Sequence, residues 1–296
     1  MRRVTRLASV LMLLLGAPVI AQQPLFRASV SVVRVDVLAT DSGRPLPNLT
    51  AADFEVLDNG VPQAIDAVIG DIEPIDVLFA LDRSASTRGE TLIRLRESAA
   101  ALLDALDPDD RAGLLTFNHM FQLPVPMGPV APVRAALPAI EPEGSTALLD
   151  AAATALALSA GGNRRTLVLL FTDGVDTLSW LPARTVTDTA RGSEAVLYAV
   201  TLPERRGYAS LLEAEEAQLR GLAEATGGRL LRATDPSHLR DRFAEVLREM
   251  RARYVITFTP SSPDTPGWHA LTVRLKGKRG RVASRAGYVV PAPPAR

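Results

Sequence analysis

The sequence predicts an α/β fold: a doubly wound, mostly parallel sheet inserted in a small β-sandwich made from the N- and C-terminal segments. Three observations carry this. Between residues 74 and 250, apolar strand-like runs alternate with amphipathic helical stretches, the pattern of a parallel sheet covered on both faces. Phe26 to about Asp71, and the chain from about Tyr254, read instead as strands and turns. Each of these flanks is too small to bury a core well, so the two are expected to combine. That arrangement requires both ends of the inserted domain to leave from nearby points, which compact domains often permit.

The elements follow in order. "SVSVVRVDVLAT" is rich in β-branched residues with partial alternation. "FEVLDNGVPQAI" sets Asn59-Gly60 between two apolar runs, a hairpin signal because both turn positions favour positive φ. "IDVLFALD" is a strand. "TLIRLRESAAALLDAL" places Leu95, Ala99, Leu102, Leu103 and Leu106 on one helical face. "RAGLLTFN" is a strand, and "TALLDAAATALALSA" an alanine-rich helix stopped by Gly161-Gly162. "RTLVLLFTDG" is the most apolar strand, followed by the strand "AVLYAVTL", the helix "LLEAEEAQLRGLAEATGG", the short strand "RLLRA" and the helix "HLRDRFAEVLREMRARY". "YVITFTP", "WHALTVRL" and "RVASRAGYVV" return to strands, the last two separated by the turn Gly277-Lys278-Arg279-Gly280.

The expected organisation is thus a signal peptide over 1–21, a β segment over 22–73, the α/β domain over 74–250, a β segment over 251–290 packing with the first, and an unfolded tail over 291–296. The signal reading rests on Arg2, Arg3 and Arg6 ahead of the apolar run Leu7 to Ile20 and a small residue at Ala21. That run is short for the ~20 residues of a membrane span, so an exported chain, periplasmic or extracellular and without a stable span after cleavage, is expected. Cleavage removes three arginines and no acid, leaving thirty basic against thirty-three acidic residues. With formal charge near zero there is no electrostatic case for nucleic acid. The chain has no cysteine, which excludes disulfides, thiolate nucleophiles and thiolate metal sites and is compatible with export for a domain this large.

Ligands of open α/β sheets bind at the carboxyl ends of the strands. Three polar sets collect there: Asp82-Arg83-Ser84-Ala85-Ser86 after the first strand, Glu143-Gly144-Ser145-Thr146 before the alanine-rich helix, and Thr172-Asp173-Gly174 after the most apolar strand. Two carboxylates and three hydroxyls are hard oxygen donors, suited to magnesium, manganese or calcium rather than zinc or copper. The alternative is local: helix capping by Ser84, Ser86 and Thr146, and a plain turn at Asp173-Gly174.

"DRSAS", "GST" and "TDG", in this order and spacing, resemble the metal-ion-dependent adhesion site of the von Willebrand factor type A domain. The flanks "LPNLTAADFEVLDNGVPQAI" and "SRAGYVV" resemble those of bacterial exported proteins carrying a related domain. The resemblance implies that Asp82, Ser84 and Ser86 form the first metal loop, Thr146 the second and Asp173 the third. It also implies a coordination position left for an acidic residue of a partner.

The expected function is an exported, adhesion-type protein-binding module. Its cofactor is a divalent cation, magnesium first and manganese or calcium next, and its partner is a protein with an exposed acidic residue. Arg83, His119, Asp176 and the loop "PERRGY" are candidates for partner contact; a solvated surface is their alternative. The rivals are a cell-envelope scaffold whose metal orders loops, and a metal-dependent hydrolase. The hydrolase lacks a glycine-flanked nucleophile elbow around any serine, and among the three histidines only His119 falls in the first half of the α/β region. No enzyme activity is expected. In related domains a shift of the final helix is coupled to metal coordination; nothing in "PSHLRDRFAEVLREM" marks a bistable element.

Overall fold

A computed structural model describes residues 32–70, 73–162, 164–202, 209–261 and 265–292. The signal segment, the "PERRGY" loop and the end of the tail lie outside the described residues.

The chain opens with strands β1 (Val33–Asp41), β2 (Arg44–Pro45), β3 (Phe54–Asp58), β4 (Val61–Gln63) and β5 (Ile65–Ile69). Asn59 and Gly60 take the positive φ values, 47° and 82°, that the β3–β4 hairpin turn requires. The α/β region follows: β6 (Ile75–Asp82), α1 (Glu90–Asp104), β7 (Arg111–Phe117), β8 (Phe121–Gly128), α2 (Val130–Ala136), α3 (Leu148–Leu158), β9 (Arg165–Thr172), α4 (Ala183–Gly192), β10 (Val196–Thr201), α5 (Ala209–Ala225), β11 (Leu230–Arg232) and α6 (Leu239–Arg251). The chain ends in β12 (Tyr254–Phe258), β13 (Gly267–Leu275), β14 (Arg281–Ala283) and β15 (Gly287–Val290).

The central sheet has the order β11-β10-β9-β6-β7-β8 and is parallel except for β8. Strand periodicity divides its side chains between two faces. Val77, Phe79 and Leu81 of β6 join a cluster with Leu95 and Leu102 of α1 and Phe243 and Val246 of α6. Leu78 and Ala80 join the opposite cluster with Ala152 of α3, Val186 of α4 and Leu222 of α5. Both faces are covered, which explains why β6, β9 and β10 are buried at every position and read as near-continuous apolar runs rather than alternating.

Three elements were not expected from the sequence. β8 carries Pro124 and Pro126, which cannot donate to a ladder; both are tolerated because β8 is the sheet's antiparallel edge. α2 and α4 are short and contribute few buried residues, Val133 in one and Val186 and Ala190 in the other. "RVASRAGYVV" is two strands, not one: β14 pairs with β1, while β15 pairs with β13 in a different sheet.

The flanking strands form two antiparallel sheets, β14-β1-β12-β5 with β2 beside β1, and β15-β13-β3-β4. Each sheet mixes N- and C-terminal strands, with β1 paired to β12 and β3 to β13. Val35, Val37, Phe54, Val56, Ile256, Phe258, Val273 and Tyr288 share one apolar cluster drawn from both sheets. Where α5 ends, Gly228 backs so closely onto β10 that a Cβ there would overlap the Leu197 carbonyl, which accounts for glycine at that position. Among the described residues no helix is long and apolar enough to cross a membrane.

Candidate functional site

Going outward from β6, the chain crosses to β7 over one face of the sheet and reaches β9 over the other. The gap between the carboxyl ends of β6 and β9 is therefore the topological switch point, where a crevice opens. β6 delivers Asp82 to this edge with its side chain fully buried. One carboxylate oxygen accepts the Ser84 N–H at 2.8 Å, and the other accepts the Thr172 hydroxyl at 2.7 Å. Burial pushes the Asp82 carboxyl up from its ordinary value, and the bonds from Ser84 and Thr172 work against that shift.

The first loop then turns through a short 3-10 segment, Ala85–Thr87. The hydroxyls of Ser84 and Ser86 lie 2.9 Å apart, and Ser86 donates to Asp173 Oδ1 at 2.8 Å. Ser84 makes no side-chain cap, and α1 starts after Gly89, so the serines are not capping that helix. Gly174 shows where the third and second loops meet. A Cβ built on it would stand 3.1 Å from Ser86 Oγ and 3.6 Å from Thr146 Oγ1. The hydroxyls of the first two loops thus converge over the backbone of the third.

Backbone bonds lock these loops together. Ala85 N–H donates to the Gly144 carbonyl at 2.9 Å, and Glu143 N–H to the Arg83 carbonyl at 2.8 Å. Thr146 is not the cap of α3; Ala147 occupies that position. The free N–H groups of α3 are met from the third loop, by Asp176 Oδ1 on Leu148 at 3.2 Å and by Ser179 Oγ on Leu149 at 3.0 Å. In return the Thr146 carbonyl accepts N–H bonds from Thr177 and Leu178 at 2.9 and 3.0 Å.

Asp82, Ser84, Ser86, Thr146 and Asp173 therefore gather at one place. The three candidates for partner contact separate. Arg83 departs from the expectation of an exposed contact: it is buried, and its guanidinium is held by the overlying, exposed Glu143, Nη1 to Oε1 at 2.9 Å. Asp176 is half-buried and its carboxylate serves α3. His119 is exposed and packs on Gly144. Gly144 has a φ of 71°, and a Cβ there would overlap the His119 ring. Gly144→Ala is expected to cost about 1–3 kcal/mol through strain and overlap together; urea unfolding would check this, and a loss below about 0.5 kcal/mol would mean that the His119 ring simply swings away.

Sequence reasoning missed Glu215. "LLEAEEAQ" reads as a solvated helical face, yet Glu215 is buried and its Oε1 accepts the Asp176 N–H. Its Oε2 is buried without a hydrogen-bond partner, and the residue lines a cavity of about 10 Å³ with Thr172, Asp173 and Gly174. Burial lifts its carboxyl to about 7, against the Asp176 N–H, with the Asp176 and Asp82 charges adding to the rise. Only the packing of α5 under the β9 loop reveals this.

The donor set suits a hard divalent cation: two carboxylates and three hydroxyls, with a buried acid, Asp82, whose partners are all neutral. Among the described residues, no group of three or more His, Cys, Asp or Glu side chains is placed to hold a metal ion. A site built mainly from hydroxyls lies outside that description.

Residues 77–175 match the family model of the von Willebrand factor type A domain. An uncharacterized protein of Synechocystis sp. is 28% identical over 106 residues, which span 34% of this chain and only 25% of that relative. Among solved structures, a von Willebrand factor type A protein from Catenulispora acidiphila aligns over 86% of this chain and 75% of its own, at 15% identity and a TM-score of 0.52. A D319A mutant of the PilB minor pilin from Streptococcus sanguinis aligns over 62% of this chain and 63% of its own, at 10% identity and a TM-score of 0.51. At these identities the structural likeness concerns the fold alone.

Proposed function

Because the chain carries a von Willebrand factor type A domain over residues 77–175, we propose that it is an exported, metal-dependent protein-binding module of the adhesion type. Domains of this family are in general interaction modules rather than enzymes. The observation that carries the proposal is the convergence of Ser86 and Thr146 hydroxyls over Gly174, with Asp82 and Asp173 hydrogen-bonded into the same group. Asp82, Ser84, Ser86, Thr146 and Asp173 would hold a divalent cation, magnesium first. Held in part by neutral hydroxyls, such a cation supplies an electrophilic point for an acidic side chain of a protein partner. The chain's own contribution is to hold the five oxygen-bearing residues in place through the backbone bonds between loops, before any ligand arrives.

The flanking sheets fit the same purpose. We read the strands of 33–69 and 254–290 as one sandwich into which the α/β region is inserted. Export follows from the leader-like first 21 residues.

Thermal unfolding of the purified chain against magnesium, manganese and calcium tests the metal. At a hundred times its dissociation constant a ligand adds about 2.7 kcal/mol, so the native chain should gain stability while Asp82→Ala should not. No shift with any of the three ions, up to millimolar concentration, would remove the metal from the proposal.

A further inference from the structure

Exposed apolar residues stand on two loops that are hydrogen-bonded to the second loop of the candidate metal site. Trp180 is 91% exposed, and Leu178 and Leu181 on the same loop are exposed beside it. Across the second loop, Met120 and Phe121 stand exposed at the β7–β8 turn. Both rims are tied to the second loop: Leu178 N–H donates to the Thr146 carbonyl, and Ala147 N–H donates to the Asn118 carbonyl at 3.0 Å.

Trp180 is not exposed because its loop is loose. The N–H groups of Trp180 and Leu181 both donate to the Asp150 carboxylate, each at 2.9 Å, and Ser179 N–H donates to Asp176 Oδ1. Asp150, buried in the first turn of α3, spends both of its oxygens on presenting this one segment. A large aromatic carried outward on a fixed backbone has already lost the backbone freedom that binding would cost, which suits an interface anchor. Exposed apolar groups gathered around one point mark an interaction surface more strongly than the same groups scattered.

We propose that Trp180 and its rim form the apolar half of the partner-binding surface, and that the partner is a protein segment with a carboxylate flanked by apolar side chains. The carboxylate half rests on the metal reading above; the apolar half does not. A lipid surface fits less well, because an anionic bilayer attracts basic residues and neither exposed segment, 118–121 or 177–181, holds a Lys or Arg.

The probe is a random twelve-residue peptide library on phage, selected on the full chain in magnesium, with the consensus peptide then synthesised. The expected consensus has Asp or Glu next to aromatic or aliphatic residues. Trp180→Ala should weaken its binding at least tenfold, and Trp180→Phe less than threefold. The chain has two tryptophans, so Trp268→Phe leaves Trp180 as the sole emitter. In that variant the peptide should shift the emission to the blue and protect it from acrylamide.

A peptide bound equally by Trp180→Ala overturns the proposal, as does failure to enrich any peptide. So does binding of phosphatidylglycerol vesicles with Trp180 buried, or a dimer in sedimentation that Trp180→Ala abolishes. Binding lost in Trp180→Ala but indifferent to EDTA and to Asp82→Ala would support the apolar surface and overturn the metal reading alone.

Discussion

Arg253→Met is expected to lower stability by about 3–5 kcal/mol, because several buried acceptors lose their donor together, the largest loss anticipated from a single substitution. Arg253 is among the largest fully buried side chains of the described residues, at 1% exposure. It sits between α6 and β12, where the chain leaves the α/β region for the flanking sheets. Its Nη2 donates to the Tyr198 hydroxyl of β10 at 3.0 Å and to the Gly227 carbonyl at the end of α5, and Nη1 reaches the Asp36 carbonyl of β1 at 3.5 Å. The guanidinium also lies 5.6 Å from the Tyr198 ring centre. One side chain thus satisfies acceptors on three elements from two regions. Methionine would keep most of the stem and lose every donor, stranding buried carbonyls at about 1–3 kcal/mol each.

The neighbouring Arg165 reinforces the junction without replacing it. Its Nε donates to Asp36 Oδ1 at 2.7 Å and its Nη2 to the Met250 carbonyl at 3.0 Å. Urea unfolding, followed by tryptophan emission and far-ultraviolet dichroism together, would measure the loss. Coincident transitions in the native chain and separated ones in Arg253→Met would show that this arginine couples the two regions. A variant as stable as the native chain would show that the carbonyls find other donors, as happens when a buried charge is replaced by a well-packed apolar group.

The parts of this molecule that were legible in the sequence are those where one physical demand dominates. β6, β9 and β10 are buried on both faces, so nearly every residue is apolar and the runs stand out. The three loops were legible for the converse reason, since Asp82, Ser84 and Asp173 are polar where apolar strands end, and an open α/β sheet brings strand ends to one edge. Elements with divided demands were not. β8 sets exposed Pro124 and Pro126 on either side of buried Val125, because an edge strand needs few ladder donors. α4 is threonine-rich and buries only Val186 and Ala190. Side-chain destinations were the least legible of all. Arg83 sits within the Asp82–Ser86 loop yet is buried against Glu143, and Glu215 belongs to an acidic helical run yet is buried under the β9 loop. Trp180 reads like any loop tryptophan until the Asp150 carboxylate beneath it is seen.

Raising the pH from 5 to 9 is expected to weaken the fold in part through His269, and His269→Gln should reduce that dependence, leaving the share carried by the raised carboxyl of Glu215. His269 is buried on β13, and both ring nitrogens face acceptors: Nδ1 lies 2.9 Å from Asp58 Oδ1, and Nε2 lies 2.8 Å from the Thr265 carbonyl. A neutral imidazole has one donor and can satisfy only one of them. The pair is met in full only by the imidazolium. Burial pulls the ring down, but the bonds to Thr265 and Asp58 and the Asp58 charge together hold it above its ordinary value. The Tyr288 hydroxyl donates to Asp58 Oδ2 at 2.8 Å, with the Arg285 guanidinium 5.9 Å from the Tyr288 ring centre. Burial and Asp58 push the phenol upward, so it remains a donor across this range. With the folded value raised, the stabilisation is complete below the unfolded value of about 6.5 and is lost as pH rises through the folded one. At pH 5, His269→Gln should cost about 2–4 kcal/mol, because a charge-assisted donor is removed from a buried carboxylate. Unfolding free energies at half-unit pH steps would read both effects. His119 and His238 are exposed, so replacing them by glutamine should leave the slope in place. A slope unchanged in His269→Gln would mean that Glu215 carries all of it, and that Asp58 is satisfied by Tyr288 alone.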